Sequence, residues 1–192
     1  MASESLAEQS AFTNWTPLQC AGIRIETRDD LTIAGLAALR GKAAAMRAAI
    51  KAAYAIDLPS RPRRIAGDRI AFAWAGPDQW IAIAARETGR DLEKELEPIV
   101  SGLATVVDQS DGRALMSVSG EYARQVLMKG FQIDFAPPNF QLNDVAITHA
   151  SHIGATIWQI DEAPTFEITM FRSFADSFAD WIQHAAAEFV HA

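Results

Sequence analysis

The sequence predicts an α+β fold made of two similar βαββα-like halves with mostly antiparallel sheet. Three observations lead there. Short runs with apolar residues at every second position alternate with longer runs in which they recur every three or four, so strands and amphipathic helices are interleaved. Two segments, "GPDQWIAIAARETGRDLEKEL" and "EAPTFEITMFRSFADSFADWI", both run turn, strand, capped helix. An Asp-Gly pair at 111–112 stands between two β-rich runs, the short-range signature of a hairpin. These place a flexible arm over 1–20, a first half over 21–103 and a second over 104–192, the halves together one unit.

Each element has its own warrant. Ile23 and Ile25 alternate with polar neighbours, which predicts a strand over Gly22–Arg28. Leu36, Leu39, Ala43, Met46, Ile50 and Ala53 form one stripe at helical spacing, which predicts an Ala-rich helix from about Leu31 to Ile56. Pro59 and Pro62 end it. Ile70, Phe72 and Trp74, then "AGPDQ", then Trp80, Ile81 and Ile83 read as a hairpin. "TGRDLEKELEPIVSGL" reads as a helix with a capping box from Thr88 to Asp91, a stripe of Leu92, Leu96, Ile99 and Leu103, and a kink or break at Pro98.

In the second half, Ala104–Ser110 and Arg113–Ser119 flank Asp111-Gly112 as a hairpin whose type I′ turn needs φ > 0 at both central residues. Ser119 then caps a helix over about Gly120–Lys129, with Gly130 just past its end. "FQIDFAPPNFQLND" reads as a loop, and "VAITHASHIGATIWQID" and "TFEITMFRS" as strands. The last helix carries a box from Ser173 to Asp176 and a stripe of Phe174, Phe178, Trp181, Ala185 and Phe189.

Composition narrows the function. Apolar residues make up 49% and charged residues 21%, ordinary for a globular chain of 192 residues. Cys20 is the single cysteine, so no internal disulfide and no multi-cysteine metal site can form. The N-terminal stretch has neither a basic n-region nor an apolar h-region, and no run is long enough to span a bilayer, so a soluble cytoplasmic protein is expected. The net charge of −7 is uneven: residues 40–69 carry +6 and the remainder −13. The acidic remainder repels phosphate and argues against nucleic acid. The basic stretch reads as a solvated helix face with a basic loop, as a docking surface for an acidic partner, or as an anion site.

Catalytic motifs are missing. The sequence has no G-x-G-x-x-G, no G-x-x-x-x-G-K-[ST], no H-E-x-x-H and no G-x-S-x-G. His149 and His152 lie three apart in a predicted strand and so on opposite faces, which disfavours a shared metal; His184 and His191 have no partner in sequence. Asp68, Asp108, Asp111 and Arg113 stand at strand ends, where carboxylates serve as acids, bases or anchors, but more commonly satisfy turns. Asp108 is placed to pair with Arg113 across the hairpin. Trp74, Trp80, Trp158 and Trp181 sit at core-facing positions.

"FAWAGPDQWIAIA", "VVDQSDGRALMSVSGEYARQVLMKGFQIDF" and "FRSFADSFADWI", in this order and spacing, resemble the gamma subunit of heterotetrameric sarcosine oxidase from about Trp15 onward. Asp108, Ser110, Gly120, Ala123 and Leu127 also match a D-x-S…G-x-x-A-x-x-x-L pattern of folate-binding aminomethyltransferases such as the glycine-cleavage T-protein. That family usually has Gly-Pro where this chain has Gly120-Glu121, and Asp68 is the nearest counterpart of its catalytic aspartate. The resemblance implies a fold similar to part of the folate-binding domain and a non-catalytic assembly chain, with no catalytic, cofactor or metal residue of its own. Its implied partners are the alpha, beta and delta subunits. FAD, FMN and NAD are implied on alpha and beta, and zinc on delta. The implied complex demethylates sarcosine oxidatively to glycine, with hydrogen peroxide and formaldehyde or methylene-tetrahydrofolate. The alternative is a stand-alone folate-binding aminomethyltransferase-like protein, and a third reading is an α+β module for some other partner.

Overall fold

The alternating runs become eleven strands in two antiparallel sheets in a computed structural model that describes residues 9–87 and 90–190. In chain order they begin with β1 (Leu18–Cys20), β2 (Ile23–Thr27), β3 (Leu31–Ala38), α1 (Ala43–Tyr54), β4 (Arg64–Ala66), β5 (Ala71–Gly76), β6 (Gln79–Ala85) and α2 (Leu92–Leu96). They continue with β7 (Ala104–Asp108), β8 (Arg113–Ser119), α3 (Ala123–Met128), β9 (Val145–Ala150), β10 (Ile153–Gln159), β11 (Thr165–Phe171) and α4 (Ala175–Val190).

Four layers result. Helices α1 and α2 cover the outer face of one sheet, where Met46, Ile50, Leu92 and Leu96 meet Leu36, Phe72 and Trp80. Helices α3 and α4 cover the outer face of the other, where Val126, Leu127, Phe178 and Ile182 meet Met116, Ile157 and Ile168. The inner faces meet in a third apolar cluster that joins Ile33, Ile81 and Ile83 to Leu115, Val145 and Trp158. The expected α+β class with antiparallel sheet is what the chain forms.

The sheets repeat one topology. The first runs β4-β5-β6-β3-β7; the second runs β9-β10-β11-β8-β2, with β1 beyond β2. Each has a first strand, a helix, a three-strand meander, a second helix and a closing strand. β7 closes the first sheet, and β2, from the other end of the sequence, closes the second. The sheets therefore do not part at 103/104: each takes a closing strand from the far side of that point. Within the expected arm over 1–20, Met1–Glu8 lies outside the described residues. Phe12 is buried in the α3/α4 core and residues 18–20 form β1.

Several local expectations gave way to tertiary partners. Leu31–Ala38 is a strand, not the start of a helix. It lies between β6 and β7 and is covered on both faces, so its apolar residues show no strand alternation. The helix occupies only Ala43–Tyr54, after Gly41 at φ +76°. β7 and β8 do not pair with each other; they belong to different sheets. Neither Asp111 nor Gly112 has positive φ. The two-residue turn with both central residues at positive φ is Ser151-His152, between β9 and β10.

The caps shift too. Ser119 ends β8 rather than capping α3, whose N-cap is Tyr122. Thr88 lies outside the described residues, and Asp91 caps α2 by accepting from the Lys94 N–H (3.0 Å). The helix breaks before Pro98. Asp176 does not close a box with Ser173. It accepts from the N–H and hydroxyl of Thr13 (3.0 and 2.9 Å), tying residues near the N-terminus to α4.

Two links carry the chain between the sheets, and they lie against each other. One joins β2 to β3 and the other joins β7 to β8. Gln109 N–H donates to the Ile33 carbonyl (2.9 Å), and Arg28 N–H to that of Leu115 (2.9 Å). Ser110 Oγ accepts from the Ile33 N–H (3.0 Å), donates to Asp108 Oδ1 (2.7 Å) and lies 2.8 Å from Thr32 Oγ1. A second close approach holds the β8–α3 junction. Gly120 has φ +105°, and a Cβ there would lie 2.4 Å from the Gly22 carbonyl oxygen. That carbonyl accepts from the Tyr122 N–H (2.9 Å). Across the outer helices, the Tyr54 hydroxyl donates to Glu95 (3.0 Å), which also accepts from Arg90 (3.1 Å). Burial, then the bond to Glu95, pushes the Tyr54 phenol up to about 12.

Four outcomes follow from these contacts. Ser110→Ala should lower stability by about 0.5–1.5 kcal/mol in urea unfolding, because the Ile33 N–H and Asp108 lose a hydrogen-bond partner at a part-buried position. Gly120→Ala should cost about 2–5 kcal/mol, from a left-handed residue and a backbone clash together. Gly112→Ala, at ordinary φ and 3.7 Å from its nearest neighbour, should shift stability by less than about 1 kcal/mol. Tyr54 supplies the fourth. Its folded pKa lies above its unfolded value of about 10, so its contribution is full below pH 10 and lost as pH rises towards 12. Urea midpoints measured across that window should fall less steeply in Tyr54→Phe than in the wild type.

Candidate functional site

The residues with chemical potential gather where the two sheets face each other. Glu167 on β11 is 4% exposed and points into that layer. It accepts from Arg28 (2.5 Å) and from the Trp158 indole N–H (2.7 Å). Arg28 is also held by both oxygens of Asp30 (2.8 and 3.1 Å), and this bonding raises the Arg28 pKa and lowers that of Asp30. Arg64 pairs in register with Ala73, which belongs to the inter-sheet cluster, so it faces the same layer from β4. Its Nε is buried without a hydrogen-bond partner; burial pushes its pKa down, against the field of Glu167. One buried carboxylate thus lies under the influence of two guanidinium groups, an arrangement that fixes how the sheets sit together.

The D-x-S segment is a structural pin. Asp108 accepts from the N–H and the hydroxyl of Ser110, and its own N–H donates to Glu93 (2.7 Å). Arg113 does not pair with Asp108 as expected; it donates to Gln109 (2.5 Å) and lies over the Phe171 ring at 5.1 Å. The register explains this: Arg113 sits opposite Phe171 in the second sheet, whereas Asp108 stays with β3 in the first. Asp111 is exposed and borders a cavity of about 200 Å³ beside the crossover, with Arg28, Arg86, Arg113 and Arg172 on its walls. Arg172 donates to the Gln9 and Ser10 carbonyls there.

Gly120 is required by its backbone, while Ala123 and Leu127 are fully buried in the α3 core. Gly130 follows α3 as expected, but at ordinary φ. A Cβ there would lie 2.2 Å from the Trp181 ring, so close packing is what it serves. Asp68 is exposed in the turn between β4 and β5, away from the D-x-S pin in sequence and in sheet order.

The histidines are not a cluster. His149 is on β9, while His152 is in the turn rather than in the same strand. Both are exposed. His184 Nδ1 lies 2.6 Å from the Asp180 carbonyl, one turn back on α4; His191 is outside the described residues. Among the described residues no group of three or more His, Cys, Asp or Glu side chains is placed to hold a metal ion. Cys20 donates weakly to the Phe189 carbonyl (3.5 Å) and joins β1 to α4. Trp80 and Trp158 are buried, and Trp74 and Trp181 are partly exposed. No helix among the described residues is long and apolar enough to cross a membrane.

The basic stretch is divided in its roles. Arg47 pairs with Asp78, Lys51 with Asp57 and Arg63 with Asp144, while Arg64 turns inward. Arg40, Lys42, Arg61 and Arg69 are exposed.

Sequence reading missed Glu167 and the pairing of Arg113 with Phe171. The only sequence signal was a charged residue at a core-facing register position of the "TFEITMF" strand.

Comparison with known proteins gives a consistent picture. A gamma subunit of sarcosine oxidase from Arthrobacter sp is 30% identical over 161 residues, covering 82% of this chain and 77% of that one. One from Corynebacterium sp. (strain P-1) is 30% identical over 145 residues, covering 74% and 70%. Among solved structures, heterotetrameric sarcosine oxidase from Corynebacterium sp. U-96, in complex with pyrrole 2-carboxylate, contains a chain with TM-score 0.78 and 27% identity. The match covers 88% of this chain and 86% of that one. Glycine cleavage system aminomethyltransferase T from Bartonella henselae matches with TM-score 0.63 at 14% identity, over 85% of this chain and 46% of that one, which shows a shared fold. A profile described as "Sarcosine oxidase, gamma subunit family" matches residues 40–188, and the chain belongs to that family.

Proposed function

We propose that this chain is the non-catalytic gamma subunit of a cytoplasmic heterotetrameric sarcosine oxidase, where it serves as an assembly chain. The observation that carries the reading is the match, over most of both chains, to a component of a heterotetrameric sarcosine oxidase. The local chemistry supports it. The residues shared with the folate-binding pattern are spent on the fold: Asp108 and Ser110 on the crossover, Gly120 on a backbone contact, Ala123 and Leu127 on the core. In this reading the partners are the alpha, beta and delta subunits. FAD, FMN and NAD belong to alpha and beta and zinc to delta. The assembled enzyme demethylates sarcosine to glycine, with hydrogen peroxide and formaldehyde or methylene-tetrahydrofolate as the other products.

The test compares the chain alone with the assembly. The purified chain should show no flavin absorbance and no sarcosine-dependent peroxide. Co-expressed with the other three chains of its oxidase, it should be recovered in a stoichiometric complex that oxidises sarcosine. A flavin-bound, active single chain overturns the proposal, as does failure to form a complex at any salt concentration. Saturable quenching of tryptophan fluorescence by tetrahydrofolate in the isolated chain favours the folate-binding alternative.

A further inference from the structure

One corner of the inter-sheet face of the second sheet is left uncovered. The first sheet covers Leu115 and Trp158 but leaves a groove of about 300 Å³ at the outer ends of β9, β10 and β11. Ile147 and Phe171 form its apolar walls and are 50% and 57% exposed. Gly154 lines it as well, and a Cβ there would meet nothing within 4 Å, so the sheet backbone is open to close approach.

One polar group in this groove lacks a hydrogen-bond partner and another lacks a counter-charge. The Thr169 side chain is fully buried, and its Oγ1 has no hydrogen-bond partner. Arg113 uses Nε on Gln109 and lies over Phe171, but forms no ion pair with a carboxylate among the described residues. Burial pushes its pKa down, the cost of a cation held from water without a counter-charge. Arg113 sits opposite Phe171, and Thr169 is two residues along the same strand. That makes the two diagonal neighbours on one face, about 7–8 Å apart along the backbone and somewhat less between Cβ atoms, within reach of a single carboxylate.

We propose that this groove receives a segment of a partner subunit that presents an apolar side chain beside a carboxylate. The apolar group covers Ile147 and Phe171, and the carboxylate pairs with Arg113 and accepts from the Thr169 hydroxyl. This rests on the assembly reading above. Charge complementarity selects the occupant, because the groove supplies an unpaired cation and an unpaired donor but no anion. A second copy packed through the same groove about a two-fold axis would bring two unpaired Arg113 side chains together.

The test uses the full chain co-expressed with the other subunits of its own oxidase, captured through a tag on a partner. Arg113→Glu should weaken association on the order of 10²-fold, and Arg113→Lys, which keeps the charge but loses the planar fork, on the order of 10-fold. Phe171→Ser combined with Ile147→Ser should weaken it similarly to Arg113→Glu. Met128→Ser, which removes an exposed apolar group elsewhere, should leave association unchanged. Circular dichroism and melting of the isolated variants control for folding. Hydrogen exchange of the wild-type complex gives a readout without substitution: amides over 147–156 and 169–172 should slow on assembly. If the wild type assembles while the variants bind equally well, or exchange in those segments is unchanged, the groove assignment falls and the assembly role stands. If the wild type does not assemble, both fall.

Discussion

The structure depends on one crossing point, where the β2–β3 and β7–β8 links pass side by side between the sheets. Ser110 is the pin: its hydroxyl binds the backbone of β3 and the Asp108 carboxylate at once. Because of this crossing, neither sheet is built from a contiguous stretch of chain. β2 cannot close its sheet until residues 113–119 are in place, and β7 must return to a strand about seventy residues earlier. The two units are thus linked topologically as well as by packing, and the apolar layer between them is part of a single cooperative structure.

That crossing also explains what the sequence could and could not reveal. Strands with one buried and one open face were legible, as were the β5–β6 hairpin and the amphipathic stripe of α4, because their periodicity is local. β3 was not. A strand between two others and covered on both faces carries no alternation, and its alanines suggest helix on propensity alone. Asp111-Gly112 does mark a change of direction, but the flanking strands have better partners far away in sequence. The turn that does have positive φ at both central positions, Ser151-His152, has no glycine, asparagine or aspartate to announce it. The groove was invisible for the same reason: Arg113 and Thr169 become neighbours only through the β8–β11 register.

The layer between the sheets is more polar than packing alone needs. Glu167 is buried with Arg28 and Trp158 as direct partners and Arg64 nearby. An apolar trio of similar volume would be as stable or more so, since each buried charge carries a desolvation cost. What the charges add is direction. Two sheets with aliphatic inner faces can slide or rotate against each other at small cost, whereas a carboxylate fixed by an indole N–H and a guanidinium has essentially one satisfactory position. Such fixing suits a chain whose outer surfaces have to present themselves to other chains in a set geometry.

In this chain the residues of the D-x-S…G-x-x-A-x-x-x-L pattern are tied to the crossing and to the helix that follows it. Each of its residues here has a sufficient structural cause. Asp108 and Ser110 hold the crossover, Gly120 lets two backbones touch, and Ala123 and Leu127 fill the core of α3. In this chain the crossing and the β8–α3 junction use these residue types at this spacing. The pattern identifies the architecture; the function has to be read from groups the architecture does not use. In this chain those include the cation of Arg113, the hydroxyl of Thr169 and the apolar walls on either side of them, all at one open corner of the inter-sheet face.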